Sequence, residues 1–306
     1  MANYIQANTN GRLHDAAEAS ISPLNRGFLY GDAIYEVWRT YDGSLFTFQE
    51  HWERLQRSAT ALQMEIPFDE GVLLTEIRRT VSAFFEQVKE KRDIYIRLQL
   101  TRGAGAIGLD VALADEPLFI ILVQYLNEGP PDLWTEGLQL SLGKSLFRNH
   151  PKTLNPAWKT GNYLNNVLCL REAKARGADD VAMLNLDGAV TEASVSNIFF
   201  VSDGEILTPP TTVGILEGIT RDIILNRLAQ DSNWDVREEM IDGKQISEFS
   251  ECFLTSTTRD IVPVGSIDKV EYAVGPKTVT SELKKIFRNY VADYNTRHPE
   301  LKIFDK

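Results

Sequence analysis

Cysteine is scarce in this chain: Cys169 and Cys252 are the two in 306 residues, and they lie far apart. They cannot build a disulfide framework. Their mostly apolar neighbours suit buried free thiols in a reducing compartment, so the cytoplasm is the expected location. Histidine is nearly as rare. His14, His51, His150 and His298 have no metal-ligand spacing among themselves or with the cysteines, so no metal site is expected. No apolar run approaches the ~18–20 residues a membrane span requires. The opening MANYIQANTNGRLHDAAEAS lacks the basic and then apolar stretches of a signal peptide. Cations are in deficit: 32 Lys and Arg against 43 Asp and Glu give a net charge of −11. Nucleic acid is therefore excluded as the main partner, because phosphate binding needs clustered positive charge.

What is present is apolar mass. Hydrophobic residues make up 43%, with 14 Phe, 10 Tyr and 5 Trp, which excludes disorder and suffices for one large core or two smaller ones. No repeat or low-complexity tract is visible. The patterning predicts a strand over 29–39, and a turn at Tyr41-Asp-Gly-Ser44. A helix is predicted from Phe48 with the stripe Phe48, Trp52, Leu55, Ala59 and Leu62. A second helix is predicted over 70–90, and strands over 94–100 and 118–125. Gly-Pro-Pro within 126–132 continues neither helix nor strand and marks a linker. Beyond it, strands are predicted over 180–186 and 189–201, joined by the hairpin signal Asp187-Gly188. Helix over 219–229, strand over 251–255 and a last helix to Tyr294 follow. Strands and helices interleave without a βαβ period, so the fold class is α+β with two domains. The expected division is 1–126, a linker over 127–137, and 138–306.

Five short motifs carry chemistry, each with a plainer reading beside it. Gly103, Gly105 and Gly108 satisfy G-x-G-x-x-G after a strand. The segment that follows is short and closes at Pro117, where a dinucleotide site needs a helix, so a connection beside a ligand site fits better. Lys159, between Trp158 and Tyr163, is either a surface lysine or a desolvated one able to form an imine with a carbonyl. Gly218-Ile-Thr-Arg221 starts a helix, where free N–H groups favour an anion or bind nothing. Leu254-Thr-Ser-Thr-Thr258 sets hydroxyls at a strand end, for a phosphate or a turn cap. Glu192 lies between a hairpin and an apolar strand, where a lone carboxylate is costly. It pairs with an arginine or holds a proton on a ring nitrogen.

In this order and spacing, from about Asn25 to Pro263, these pieces resemble the fold-type IV pyridoxal-phosphate enzymes, the class IV aminotransferases. The family includes branched-chain and D-amino-acid aminotransferases, R-selective amine transaminases and aminodeoxychorismate lyase. The resemblance implies a small N-terminal α/β domain and a larger C-terminal mixed α/β domain that binds pyridoxal 5′-phosphate. It implies an amino donor and a 2-oxo acid as substrates. It also implies a homodimer or higher even oligomer, with the active site at a subunit and domain interface. By the same resemblance Lys159 is the Schiff-base lysine, Tyr163 bonds the cofactor's phenolic oxygen, and Glu192 pairs with the pyridine nitrogen. Arg54, the backbone of Ile219 and Thr220, and the Thr257 hydroxyl correspond to the phosphate cup, and Leu216 to the leucine packed on the ring.

The substrate pattern is mixed. Tyr35, Val37 and Arg39 share a strand face by the period of two. Branched-chain enzymes usually carry an aromatic, a glycine and an arginine there, so Val37 resembles D-amino-acid enzymes instead. Tyr95-Ile-Arg97 resembles the branched-chain carboxylate-binding pair, or is a strand edge with a surface ion pair. The loop 104–110 lacks the cation of the D-amino-acid type. Together with Thr258 as a substrate contact, the resemblance implies an L-branched-chain transaminase using 2-oxoglutarate. D-amino-acid or R-amine transamination and aminodeoxychorismate lyase activity are the alternatives.

Overall fold

The computed structural model describes residues 4–306 apart from 115, 128, 131, 232 and 233. Asp115 after the glycine loop, Glu128 and Pro131 of the expected linker, and the first three residues therefore lie outside the described residues. Contacts divide the chain into two units: Met1–Asn127 with Trp158–Asn162 and Val291–Lys306, and Glu128–Ala157 with Tyr163–Tyr290. The partition is not a single cut, because the first unit takes two later stretches back.

In the first unit a six-stranded sheet runs in the order β2-β1-β6-β5-β3-β4, every pair antiparallel. Its members are β1 (Gln6–Thr9), β2 (Arg12–Asp15), β3 (Ala33–Tyr41), β4 (Ser44–Leu45), β5 (Ile94–Thr101) and β6 (Leu118–Tyr125). The strand predicted from residue 29 starts later. Asn25 accepts the Gly27 N–H and caps a short helix, α1 (Arg26–Tyr30), which Gly31 ends at φ 67°, and β3 begins beyond it. The two predicted helices are α2 (Phe48–Ala61), packed on β3, and α3 (Glu70–Gln87), packed on β1 and β6. Phe48, Trp52, Leu55 and Ala59 are buried from α2, and Leu73, Ile77, Val81 and Phe84 from α3. Those are helical stripes, and their burial drives the docking.

β4 covers only Thr40 and Tyr41 on the outer edge of β3. Residues 159–161 fill the other end of that edge: Tyr35 N–H donates to the Lys159 carbonyl at 3.0 Å, and Gly161 N–H to the Ala33 carbonyl at 2.8 Å. Unpaired strand groups need partners, which is why this stretch joins the first unit.

The second unit holds α4 (Leu133–Glu136), β7 (Leu138–Leu142), α5 (Leu164–Ala175), β8 (Asp180–Ala182), β9 (Asn197–Ser202), β10 (Glu205–Thr208), α6 (Ile219–Asn226), β11 (Asp235–Glu238), β12 (Glu251–Ser256), β13 (Asp260–Ile267) and β14 (Val270–Glu271). α7 (Val279–Arg297) follows, its residues from Val291 onward counting with the first unit. The sheet order is β11-β10-β9-β12-β13-β7-β8, with β14 on β13, and it is mixed: β10–β11, β13–β7 and β7–β8 are parallel. Ile198, Phe200, Cys252, Leu254 and Val264 centre its core. Both cysteines are buried and free.

The strand predicted over 189–201 is broken. Residues 189–192 turn back on 183–185 through the Asp187-Gly188 hairpin, Ala193 N–H closes on the Ser196 carbonyl at 2.7 Å, and β9 starts only at Asn197. Apolar content alone could not reveal that tight turn. Among the described residues no helix is long and apolar enough to cross a membrane, and no group of three or more His, Cys, Asp or Glu could hold a metal ion.

Candidate active site

β3 and β5 pair Tyr35 with Gln99, Val37 with Arg97, and Arg39 with Tyr95. Directly opposed residues share a sheet face, so all five first-unit substrate candidates from these strands lie together. Ile34, Glu36 and Trp38 point to the other face, where α2 packs. The Arg97 guanidinium lies over the Tyr35 ring, 3.8 Å from its centroid, and donates to Gln99 Oε1 at 2.8 Å. The Lys159 ammonium is 4.3 Å from the same centroid and donates to Tyr35 Oη at 3.3 Å. Tyr35, Arg97 and Lys159 thus form one cluster. Arg39 is buried farther along the face, its guanidinium 3.9 Å from the Tyr41 ring centroid.

Arg54 stands on the α2 side. Its Nε and Nη2 donate to the two oxygens of Glu36 at 2.8 and 2.9 Å. Sequence reasoning missed Glu36, although a carboxylate inside the apolar run of β3 was a signal. His51 Nδ1 is 2.7 Å from the same carboxylate, and all three side chains are buried. Burial by itself raises a carboxyl pKa. The Arg54 guanidinium and the His51 N–H overrule that and hold Glu36 well below the usual carboxylate range. His51 is lowered too, to about 4: burial outweighs the raising effect of the Glu36 carboxylate, and the charges of Arg54 and Lys159 add to the lowering.

This cluster makes stability depend on pH. Between the ordinary histidine value of 6.5 and about 4 the unfolded chain takes up a proton that folded His51 refuses. Stability therefore falls as pH drops through that window, by at most about 1.4 kcal/mol per pH unit. Glu36 adds a second loss below its ordinary value of 4.5. Urea unfolding of His51→Gln is expected to keep the loss at the lowest pH and flatten the slope above it. An unaltered slope would sink the assignment.

In the second unit Glu192 is the centre. Oε1 accepts from Arg148 Nε at 2.8 Å, and Oε2 from the Leu216 N–H at 3.1 Å and from Asn197 Nδ2 at 3.5 Å. Of the two readings left open for Glu192, the arginine partner is real, and it is Arg148. No motif around Leu-Phe-Arg-Asn-His pointed to it. Asn197 also donates to the Leu216 carbonyl at 2.9 Å, and a Cβ on Gly218 would sit 2.0 Å from Asn197 Oδ1. Only glycine allows that approach. Gly218 opens α6 without a side-chain cap, leaving the first-turn N–H groups of Ile219 and Thr220 at the helix end. Thr257 and Thr258 lie half-buried in the β12–β13 turn, and Tyr163 lies half-buried just before α5.

These groups fit a phosphorylated pyridine ring. Thr255 pairs with Asn197 across β12 and β9, so its side chain shares the face of Asn197. Its hydroxyl is buried with no hydrogen-bond partner among the described residues. An orphaned hydroxyl, an uncapped helix start, close backbone approach at Gly218 and a buried carboxylate are what a ring nitrogen and a phosphate would engage.

The glycine loop does not open a helix. A three-residue 3-10 turn (Val111–Leu113) follows it and the chain runs on to β6, which removes the dinucleotide reading. Arg26 holds the loop by donating to the carbonyls of Gly108, Leu109 and Asp110 at 2.8, 3.2 and 3.2 Å.

Known proteins resemble the chain over most of its length. A Methanocaldococcus jannaschii protein with the provisional name branched-chain-amino-acid aminotransferase is 36% identical over 282 residues, 92% of this chain and 94% of that protein. A D-alanine aminotransferase of Bacillus licheniformis is 29% identical over 92% of this chain and 95% of its own length. The crystal structure of the branched-chain aminotransferase of Thermoproteus uzoniensis with norvaline superposes at a TM-score of 0.87, with 29% identity, over 98% of this chain and all of that one. The profile of the class IV aminotransferases matches residues 33–267, and the chain belongs to that family of pyridoxal-phosphate-dependent enzymes.

Proposed function

We propose that this aminotransferase moves the amino group of an L-branched-chain amino acid to 2-oxoglutarate in two alternating half-reactions. The observation that carries this reading is the division of one sheet face: Arg97, stacked on Tyr35 and oriented by Gln99, lies directly across from Val37. A planar guanidinium suits the second carboxylate of a dicarboxylic 2-oxo acid, while Val37 and the Tyr35 ring offer an apolar wall to a branched side chain. The branched-chain names of the archaeal relatives support the same direction. Val37 and the D-alanine aminotransferase relative are the grounds for a D-amino-acid alternative.

Bound pyridoxal 5′-phosphate supplies an electron-withdrawing ring that accepts charge from the substrate Cα. In this assignment Lys159 Nζ would hold the cofactor and would move the proton at the substrate Cα. Glu192 keeps a proton on the ring nitrogen, Tyr163 bonds the phenolic oxygen and Leu216 packs on the ring. Arg54, with its plane fixed by Glu36, the N–H groups of Ile219 and Thr220, and the Thr257 hydroxyl bind the phosphate. Tyr95 and Thr258 serve the α-carboxylate, and Arg39 supports the pocket wall. The proposal includes a homodimer. Phe28, Ile107 and Leu109 are 69, 76 and 79% exposed, apolar surface that a second copy would cover. The two buried free thiols suit a cytoplasmic enzyme.

A donor panel tests the substrate. With 2-oxoglutarate as acceptor, L-leucine, L-isoleucine and L-valine should outrun D-alanine and R-amines by about a hundredfold or more. Arg97→Ala should lower kcat/KM for 2-oxoglutarate by about 1.5–3 kcal/mol of transition-state stabilisation and barely change the leucine half-reaction. D-alanine as the faster donor would hand the reading to the D-amino-acid class. Equal damage to both half-reactions would remove Arg97 from the distal carboxylate.

A further inference from the structure

The turn between β12 and β13 is held by two adjacent residues that reach in different directions. Asp260 has a left-handed backbone, φ 57°, unusual for a non-glycine residue and stable only when its surroundings fix it. Its buried carboxylate pairs with Lys284 at 3.0 Å and Arg288 at 2.8 Å, both on α7. Arg259 donates its own N–H to Ser256 Oγ at 3.2 Å, which closes the turn around Thr257 and Thr258. Its guanidinium donates to Asp180 Oδ2 at 3.0 Å.

Asp180 is the unusual member. It opens β8 with 1% of its surface exposed, and its other oxygen accepts the N–H of Ser194 at 3.2 Å. Ser194 stands two residues after Glu192. Its carbonyl accepts from Asn166 Nδ2 at 2.8 Å, and Asn166 Oδ1 lies 3.5 Å from Nη1 of Arg148, the partner of Glu192. One buried carboxylate therefore joins the hydroxyl turn to the Glu192 segment. The pairing, between an Arg259 side chain 37% exposed and an Asp180 side chain 2% exposed, also satisfies a buried carboxylate whose one-sided loss is costly. What it fixes is orientation.

We propose that Asp180 and Arg259 are positioning residues that hold the Thr257–Thr258 turn at a fixed distance from Glu192, so that the phosphate end and the ring-nitrogen end of the cofactor are met together. The inference rests on Thr257 contacting the phosphate and Glu192 the ring. A turn free of Arg259 would still fold, anchored by Asp260, but would present its hydroxyl in several orientations and lose phosphate affinity by that dilution.

The experiment measures dissociation constants of pyridoxal 5′-phosphate and of phosphate-free pyridoxal for the full-length apoprotein, by absorbance titration, alongside melting temperature. Arg259→Ala is expected to weaken the phosphorylated ligand about tenfold and pyridoxal less than about twofold, with a lower melting temperature because the buried Asp180 carboxylate loses its cation. Arg259→Lys should recover part of the loss. Asp180→Asn should weaken both ligands, and adding Arg259→Ala to it should change nothing further. Should Asp180→Asn fail to fold, the half-exposed Arg259 still carries the test. An Arg259→Ala protein that keeps the wild-type preference for the phosphorylated ligand would overturn the proposal. A wild-type protein with no such preference would instead overturn the phosphate reading beneath it, and the inference with it.

Discussion

Lys159→Ala is expected to abolish transamination, with at least about a 10⁴-fold loss, while the protein stays folded. The backbone at this position is held independently of the side chain. Lys159 N–H donates to Ser58 Oγ at 3.2 Å, its carbonyl accepts from Tyr35 at 3.0 Å, and Thr160 bridges Ile34. Truncation therefore removes the amine and leaves its mounting in place. Two measurements separate this from general damage. The wild-type protein should absorb in the near-visible in a pH-sensitive way, and the variant should not. After borohydride reduction, peptide mass spectrometry should place the cofactor on Lys159. An adduct on Lys152 would refute the assignment, since that lysine precedes the docked stretch.

Glu192→Gln should lower kcat by about 10²–10³-fold and raise the cofactor dissociation constant by less than about tenfold, because phosphate contacts survive it. The structure adds a consequence that a ring contact alone does not carry. Glu192 is the counter-ion of Arg148, and the pair is buried. An amide cannot neutralise that guanidinium, and its NH₂ would face a donor at either end, Arg148 or the Leu216 N–H. Breaking a buried pair from one side costs on the order of 3 kcal/mol, so the melting temperature should fall as well. Arg148→Met in the same background removes the orphaned charge and should recover much of that stability without restoring turnover. If activity returned with stability, Glu192 would be a structural residue only. If affinity and turnover fell together in the single variant, the ring assignment would fail.

The legibility of this chain differs by element. α2 and α3 could be read directly, because each buries a stripe at helical spacing. β5 and β6 could be read from their β-branched and aromatic content. The face shared by Tyr35, Val37 and Arg39 followed from the period of two alone, but their pairing with Gln99, Arg97 and Tyr95 needed the register of β3 on β5. α1 and the turn over 193–196 escaped, since both depend on local hydrogen bonds accepted by Asn25 and by the Ser196 carbonyl, which leave no periodic trace.

By itself the sequence determined the α+β class and the absence of a disulfide framework, which follow from composition and short-range period. Lys159 and Glu192 each kept a plainer reading taken alone, and the roles proposed for them came from their resemblance to the class IV pattern. Tertiary structure alone decided the partners: Glu36 for Arg54, Arg148 for Glu192, Asp180 for Arg259, and the edge of β3 for the stretch around Lys159. The physical reason is that a buried charge specifies that some partner must exist, while only the packing of distant segments decides which residue supplies it.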